Sequence, residues 1–144
     1  MLKEQGAEHV IVDDGTSVAA AVNDLYPAGV NKVLELIGGS TLADSISCLA
    51  KDGICCMLGL VGGKVSVSDF NALAMIPTER SLTTYGERTF QASNFPLDDL
   101  LQQIGDGSLK IRVGAVFPMD RIVEAHECME SNTAQGKLVV LTGM

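Results

Sequence analysis

Residues 33–40 read VLELIGGS: an apolar run interrupted by one carboxylate, then two glycines, then a serine. A short, mostly apolar run without strict alternation reads as a parallel strand, and the glycines read as its sharp turn into a helix. Leu42, Ile46 and Leu49 follow at i, i+4 and i+7, so the next segment is an amphipathic helix that starts at Ser40–Thr41, with Asp44 placed to cap Thr41 and Gly53 as the stop. In open α/β sheets, ligands lie outside the carboxyl ends of the strands, next to such turns.

The same alternation continues on both sides. HVIVD (9–13), ICCMLGL (54–60) and SLTTYG (81–86) read as further strands covered on both faces. Val18, Val22 and Leu25 mark a helix that begins at Thr16–Ser17 and ends at Pro27 and Gly29. A third helix opens at Asp69, carries Phe70 and Leu73 on one side, and ends before Pro77. A fourth begins at Pro96, with Asp98 and Asp99 favoured by the dipole and a stripe of Leu97, Leu100, Leu101 and Ile104. Then come a strand VGAVF (113–117), a helix over 119–132 with Ile122, Ala125 and Met129 inward, and a strand KLVVL (137–141). Strand then helix, repeated, predicts an α/β fold with a mainly parallel sheet and right-handed crossovers.

A chain of 144 residues is one domain by length, and such a domain buries roughly 68–70% of its unfolded surface. Its apolar runs are far shorter than the ~20 residues a membrane-spanning helix needs, and MLKEQGAEH lacks the apolar stretch of an export signal. The expectation is a soluble cytoplasmic protein with no membrane partner. The net charge is −8 and the ten Lys and Arg are scattered, which argues against nucleic acid as a partner. Cys48, Cys55, Cys56 and Cys128 show no C-x-x-C spacing and read as small hydrophobes.

Several candidate sites fail on spacing. GGSTLA (38–43) does not complete G-x-G-x-x-G, and GLVGGK (59–64) is not a phosphate loop, because its glycines are misplaced and Val65 follows Lys64. His126–Glu127 lacks the second histidine of H-E-x-x-H; His126 is expected to share a half-buried face with Ile122 and Met129 and to pair with Glu130. Glu35, an acid inside an apolar run, needs a partner or a strand-end position, because a buried unpaired carboxylate costs several kcal/mol. Leu58–Gly59–Leu60 ends a strand on the same edge as Gly38, so two glycine turns face one crevice.

KEQGAEHVIVD (3–13), KVLELIGG (32–39), LAKDGICCMLGLVGG (49–63) and FPMDRIVEAHECMESNTAQGKLVVL (117–141) together resemble the medium-chain dehydrogenase/reductase superfamily, in its zinc-type alcohol dehydrogenase and quinone oxidoreductase branch. The resemblance covers essentially the whole chain. It implies a nicotinamide dinucleotide, NADP or NAD, as cofactor and a small carbonyl, alcohol or quinone as substrate. It also implies a partial Rossmann-like three-layer fold over residues 1–112, without the first two strands of the coenzyme domain, and a strand–helix–strand return segment over 113–144. The pyrophosphate loop, any zinc ligands and the substrate pocket would precede residue 1, so no zinc, no catalytic residue and at most weak cofactor binding are expected here.

By matching positions, the resemblance sets Asp13 near the adenine side and Ile37, Gly38 and Gly39 beside the ribose and nicotinamide. Leu58, Gly59 and Leu60 would flank the nicotinamide ring, Thr83 and Tyr85 would face its carboxamide, and Lys137 would lie near the cofactor. In the strand order 3-2-1-4-5-6, strand 9–13 would lack its neighbour, so either it moves beside strand 32–37 or two chains join through exposed edges, and a homo-oligomer is expected. The alternative reading is a shortened, non-catalytic paralogue acting as an oligomerising interaction module.

Overall fold

The structure is a computed structural model that describes residues 2–64, 66–86 and 95–143. Its chain divides into two compact units, residues 1–90 and 91–144. In the first, α1 (Val18–Leu25), β1 (Val30–Glu35), α2 (Leu42–Ser47), β2 (Leu49–Met57), α3 (Ala72–Met75) and β3 (Ser81–Thr84) follow in order. The three strands form a parallel sheet in the order β1-β2-β3, with Val33 opposite Cys55 and Cys55 opposite Leu82. Partners in a parallel pair share a face, so Val33, Cys55 and Leu82 point the same way.

That face is the core. Leu42, Ile46, Leu49 and Cys55 are buried, and Val33, Met57, Val67, Ile76 and Leu82 pack against them. Ile46 and Cys55 are completely enclosed, and burying a side chain the size of Ile46 contributes about 1.5–3 kcal/mol. The opposite face is open: Leu34 is 60% exposed and Ile54 37%. The expectation of strands covered on both faces is therefore corrected, since α2 covers one side and no described element of this unit covers the other.

Segment 9–13 is also a correction. It forms no strand, and Val10 and Val12 are exposed. Strand geometry is held by ladder bonds to a neighbour, so an apolar, β-branched sequence alone does not produce it.

Helix α2 stops at Ser47, earlier than Gly53 implies, and passes into β2 through Cys48 alone. There the Val30 N–H donates to the Cys48 carbonyl at 2.9 Å, so the chain is taken into the sheet at once. Asp52 lies inside β2 with φ +61°, and its N–H donates to the Glu79 carbonyl at 2.7 Å. Arg80 fastens the same corner, its Nε donating to the Leu49 carbonyl at 2.8 Å. The helix expected from Asp69 is a single turn capped by the Asn71 side chain, and Leu73 is 96% exposed on it.

In the second unit, α4 (Leu97–Gly105) precedes β4 (Val113–Pro118), a 3-10 turn (Met119–Arg121), α5 (Ile122–Glu130) and β5 (Lys137–Leu141). Strands β4 and β5 pair in parallel, with Phe117 opposite Val140. Ala125 is the buried residue of α5, whereas Ile122 and Met129, expected inward, are exposed, as is His126. A bidentate Arg121–Glu124 pair ties the 3-10 turn to the start of α5, with Nε to Oε1 at 2.7 Å. Among the described residues, no helix is long and apolar enough to cross a membrane.

Candidate functional site

Because β1, β2 and β3 are parallel, Glu35, Met57 and Thr84 all end at one edge of the sheet. The turns that leave this edge are joined to each other. Leu58 and Gly59 donate their N–H groups to the Glu35 carbonyl at 2.9 and 3.1 Å, Val61 donates to Leu36 at 3.1 Å and Gly62 to Ile37 at 2.8 Å. Gly39 in turn donates to the Lys64 carbonyl at 2.9 Å. The two glycine turns thus form one continuous wall.

Two of its glycines are required by geometry. Gly38 has φ +117°, a conformation L side chains rarely adopt, and an added Cβ would lie 2.8 Å from the Lys64 carbonyl oxygen. At Gly59 a Cβ would come within 2.7 Å of the Leu36 Cα, so any side chain there would push the strand ends apart.

Glu35 organises the first turn. Its Oε1 accepts the N–H groups of Ile37 at 2.6 Å and Gly38 at 3.0 Å and the Thr41 hydroxyl at 3.0 Å, while Oε2 accepts the Ser45 hydroxyl. The residue is 3% exposed. Burial pushes its pKa up, but the hydrogen bonds from Ser45, Gly38, Ile37 and Thr41 outweigh that and hold the carboxyl below its usual range. The partner that the sequence demanded is therefore a set of neutral donors; among the described residues no ion pair reaches Glu35.

This leaves the turn short of donors. The N–H groups of Ile37 and Gly38 go to Glu35, that of Gly39 to Lys64, and that of Thr41 to the Gly38 carbonyl at 3.2 Å. What remains toward a ligand is the exposed Ser40, with its hydroxyl and its N–H.

A cleft of about 590 Å³ adjoins this wall, lined by Asp13, Ser17, Glu35, Ile37, Thr41 and Asp44 among others. Its two sides are fastened by Asp44, whose Oδ1 accepts the Ser17 hydroxyl at 2.6 Å and whose Oδ2 accepts the Ala19 N–H at 3.0 Å. Asp44 thus serves the start of α1, and Thr41 makes no side-chain cap, contrary to the spacing-based expectation. The Asp13 carboxylate turns back on its own loop and accepts the Gly15 N–H at 3.0 Å.

Of the residues singled out from the sequence, Asp13 and Ile37 share this cleft, and Gly38, Gly39, Leu58, Gly59 and Leu60 build the wall beside it. Thr83 is exposed on β3, and Tyr85, 49% exposed, follows at the same edge with its N–H donating to the Met57 carbonyl at 3.3 Å. Lys137 belongs to the second unit, where it is exposed at the start of β5 and donates its N–H to the Arg112 carbonyl at 2.8 Å. Sequence reasoning named Ser17 and Asp44 as separate helix-start residues and missed that they bond to each other; a hydroxyl and a carboxylate at two successive helix starts were the available signal.

Burial, with the Glu35 charge adding to it, pushes the Cys55 thiol up to about 11, and burial raises Cys48 as well. Both behave as packing groups. Among the described residues, no group of three or more His, Cys, Asp or Glu could hold a metal ion.

The sequence profile of zinc-binding dehydrogenases matches residues 5–140. The chain belongs to this family. It is 30% identical over 140 residues to a zinc-type alcohol dehydrogenase-like protein of Schizosaccharomyces pombe, covering 96% of this chain and 40% of that one. It is 24% identical over 143 residues to quinone oxidoreductase-like protein 2 of Bos taurus, covering 95% of this chain and 40% of that one. A mycobacterial protein solved in complex with NADPH superposes with a TM-score of 0.76 at 23% identity, covering 97% of this chain and 45% of that chain, which shows the shared fold. The chain thus spans about 40% of the length of these curated relatives.

Proposed function

We propose that this chain is the C-terminal, cofactor-side portion of an NAD(P)(H)-dependent oxidoreductase and has negligible catalysis by itself. The observation that carries this reading is the joined wall of 36–39 and 58–62 at the carboxyl edge of a parallel sheet, where nucleotide ligands of open α/β sheets lie. When bound, the nicotinamide supplies a hydride acceptor or donor for a carbonyl, alcohol or quinone carbon. In this reading, Ile37, Gly38 and Gly39 border the ribose and nicotinamide, Leu58, Gly59 and Leu60 flank the ring, and Thr83 and Tyr85 meet its carboxamide. Asp13 lies toward the adenine. The NADPH bound in the mycobacterial structure favours NADPH here.

The described residues commit the N–H groups of Ile37, Gly38, Gly39 and Thr41 within the turn, which leaves these four unavailable to a phosphate. They do not fit a zinc site, so no step here passes through zinc. Micromolar affinity corresponds to about −8 kcal/mol, and each hydrogen bond to a charged group supplies about 1.5–3 kcal/mol. A dinucleotide without its pyrophosphate contacts therefore binds at millimolar strength or not at all. Isothermal titration of this chain with NADPH tests the proposal: no heat below millimolar concentrations is expected, and low-micromolar affinity overturns it.

A second reading, an oligomerising interaction module, is favoured by one feature. Among the described residues β1 is paired on one side, by β2, and Leu34 on it and Leu36 just beyond it are exposed. An unpaired apolar edge promotes association. A cytoplasmic homo-oligomer belongs to both readings. Sedimentation equilibrium showing a monomer at micromolar concentration, with a sharp thermal transition, removes the module.

A further inference from the structure

We infer that α4 is a self-association surface, whose leucine stripe pairs antiparallel with α4 of a second copy of this chain. The inference goes beyond the cofactor reading and does not rest on it. Leu97, Leu101 and Ile104 recur at i, i+4 and i+7 and are 52%, 55% and 37% exposed, and no residue of α4 is buried. A helix of nine residues is marginal by itself in water and draws its stability from packing an apolar face. Among the described residues nothing encloses this stripe.

The charges at the two ends of α4 choose the occupant. Asp98 and Asp99 stand in its first turn. At the other end Leu109 donates its N–H to the Gln103 carbonyl at 2.9 Å, so the chain folds back on the last turn of α4 and sets exposed Lys110 there, followed by exposed Arg112. Asp106 lies at this end too, but its carboxylate is turned onto the Ser108 N–H, which it accepts at 2.9 Å. Among the described residues, none of Asp98, Asp99, Lys110 and Arg112 has an ion pair. The helix is thus a rod with free acid at one end, free base at the other and an apolar stripe between. A two-fold pairing brings the same patch of both copies together. With the helices antiparallel, Leu101 lies near the axis, Leu97 faces Ile104 of the other copy, and each acidic end meets a basic one. A parallel pairing would set acid against acid, which a net charge of −8 makes worse. Two helices of this length bury less than a permanent interface needs, so the pairing is weak and concentration-dependent.

The test is sedimentation equilibrium of the whole chain, loaded from micromolar concentration to about 1 mM. The parent chain is expected to dimerise within that range. Leu101→Asp, at an exposed position, should leave the thermal transition of the monomer unchanged and weaken association about tenfold or more. Asp98→Lys with Asp99→Lys, and separately Lys110→Glu with Arg112→Glu, should each weaken it likewise. An equimolar mixture of these two double variants should recover the parent affinity to within about threefold, because every reversed charge then meets its opposite. Variants that merely loosened α4 would not be rescued by mixing. A parent chain that stays monomeric at the highest concentration leaves the stripe to a different protein and overturns the inference. So does a dimer that Leu101→Asp leaves unchanged, which would put the contact elsewhere, for instance at the β1 edge, and so does a mixture that fails to associate. None of these readouts involves nicotinamide, so the result stands apart from the NADPH titration.

Discussion

The two faces of the β1–β3 sheet are made by the same three strands and differ in almost everything else. Beneath α2, alternate residues Val33, Cys55, Met57 and Leu82 join Leu42, Ile46 and Leu49 in a closed core, and Glu35 has every oxygen engaged. On the other side, Leu34 and Ile54 stand in the open. A strand supplies two rows of side chains, but which row stabilises the fold is decided by what lies on top of it. In this unit, stability is concentrated on the α2 face, and the open face contributes little until something covers it.

The largest effect should come from the covered face. Ile46→Ala removes a side chain with no exposure and should cost about 2–5 kcal/mol, read from the midpoint of chemical denaturation. Next is Glu35→Ala, which leaves the Ile37 and Gly38 N–H groups without their acceptor; each orphaned group costs about 1–3 kcal/mol when it stays buried. Denaturation should show a loss below that of Ile46→Ala, because water can reach part of the turn. Equal costs for Leu34→Ala and Ile46→Ala would break the contrast between the faces.

A pH series sharpens it. The folded-state pKa of Glu35 lies below its unfolded value, so its stabilisation is fully present above the ordinary glutamate range and is lost as pH falls through the lowered value. Denaturation midpoints measured from pH 7 to pH 3 should fall for the parent chain, and that part of the fall should be missing in Glu35→Gln. The smallest effect belongs to the open face: Leu34, 60% exposed, should tolerate Ala within about 0.5 kcal/mol. A much larger cost measured only at high protein concentration would show that another copy covers this face.

The sequence made the strand-and-helix alternation legible because VLELIGG, ICCM and KLVVL each carry enough apolar, β-branched or small residues between glycine stops. It failed at HVIVD, whose side chains are as strand-prone as those of β1; among the described residues no strand pairs with it, and neighbours are not written locally. The same limit applies to Ile122 and Met129, which have helical spacing but lie exposed on α5. For the site, the chemistry of Glu35 was readable from the cost of burying a charge, since any acid in such a run must be compensated. Its donors were not, because Thr41 and Ser45 serve equally well as surface residues of a helix start. Asp44 was drawn to the wrong helix for a related reason: spacing favours a local cap, and the observed partners, Ser17 and Ala19, are distant in sequence.

The passage from α2 into β2 through Cys48 alone has a consequence for how this region can vary. Lengthening it by even one residue would rotate the following strand by half its side-chain period and turn Cys55 toward water. Length changes between homologous chains should therefore gather elsewhere, for instance between Gly62 and Asp69, and leave the 47–49 junction at constant length.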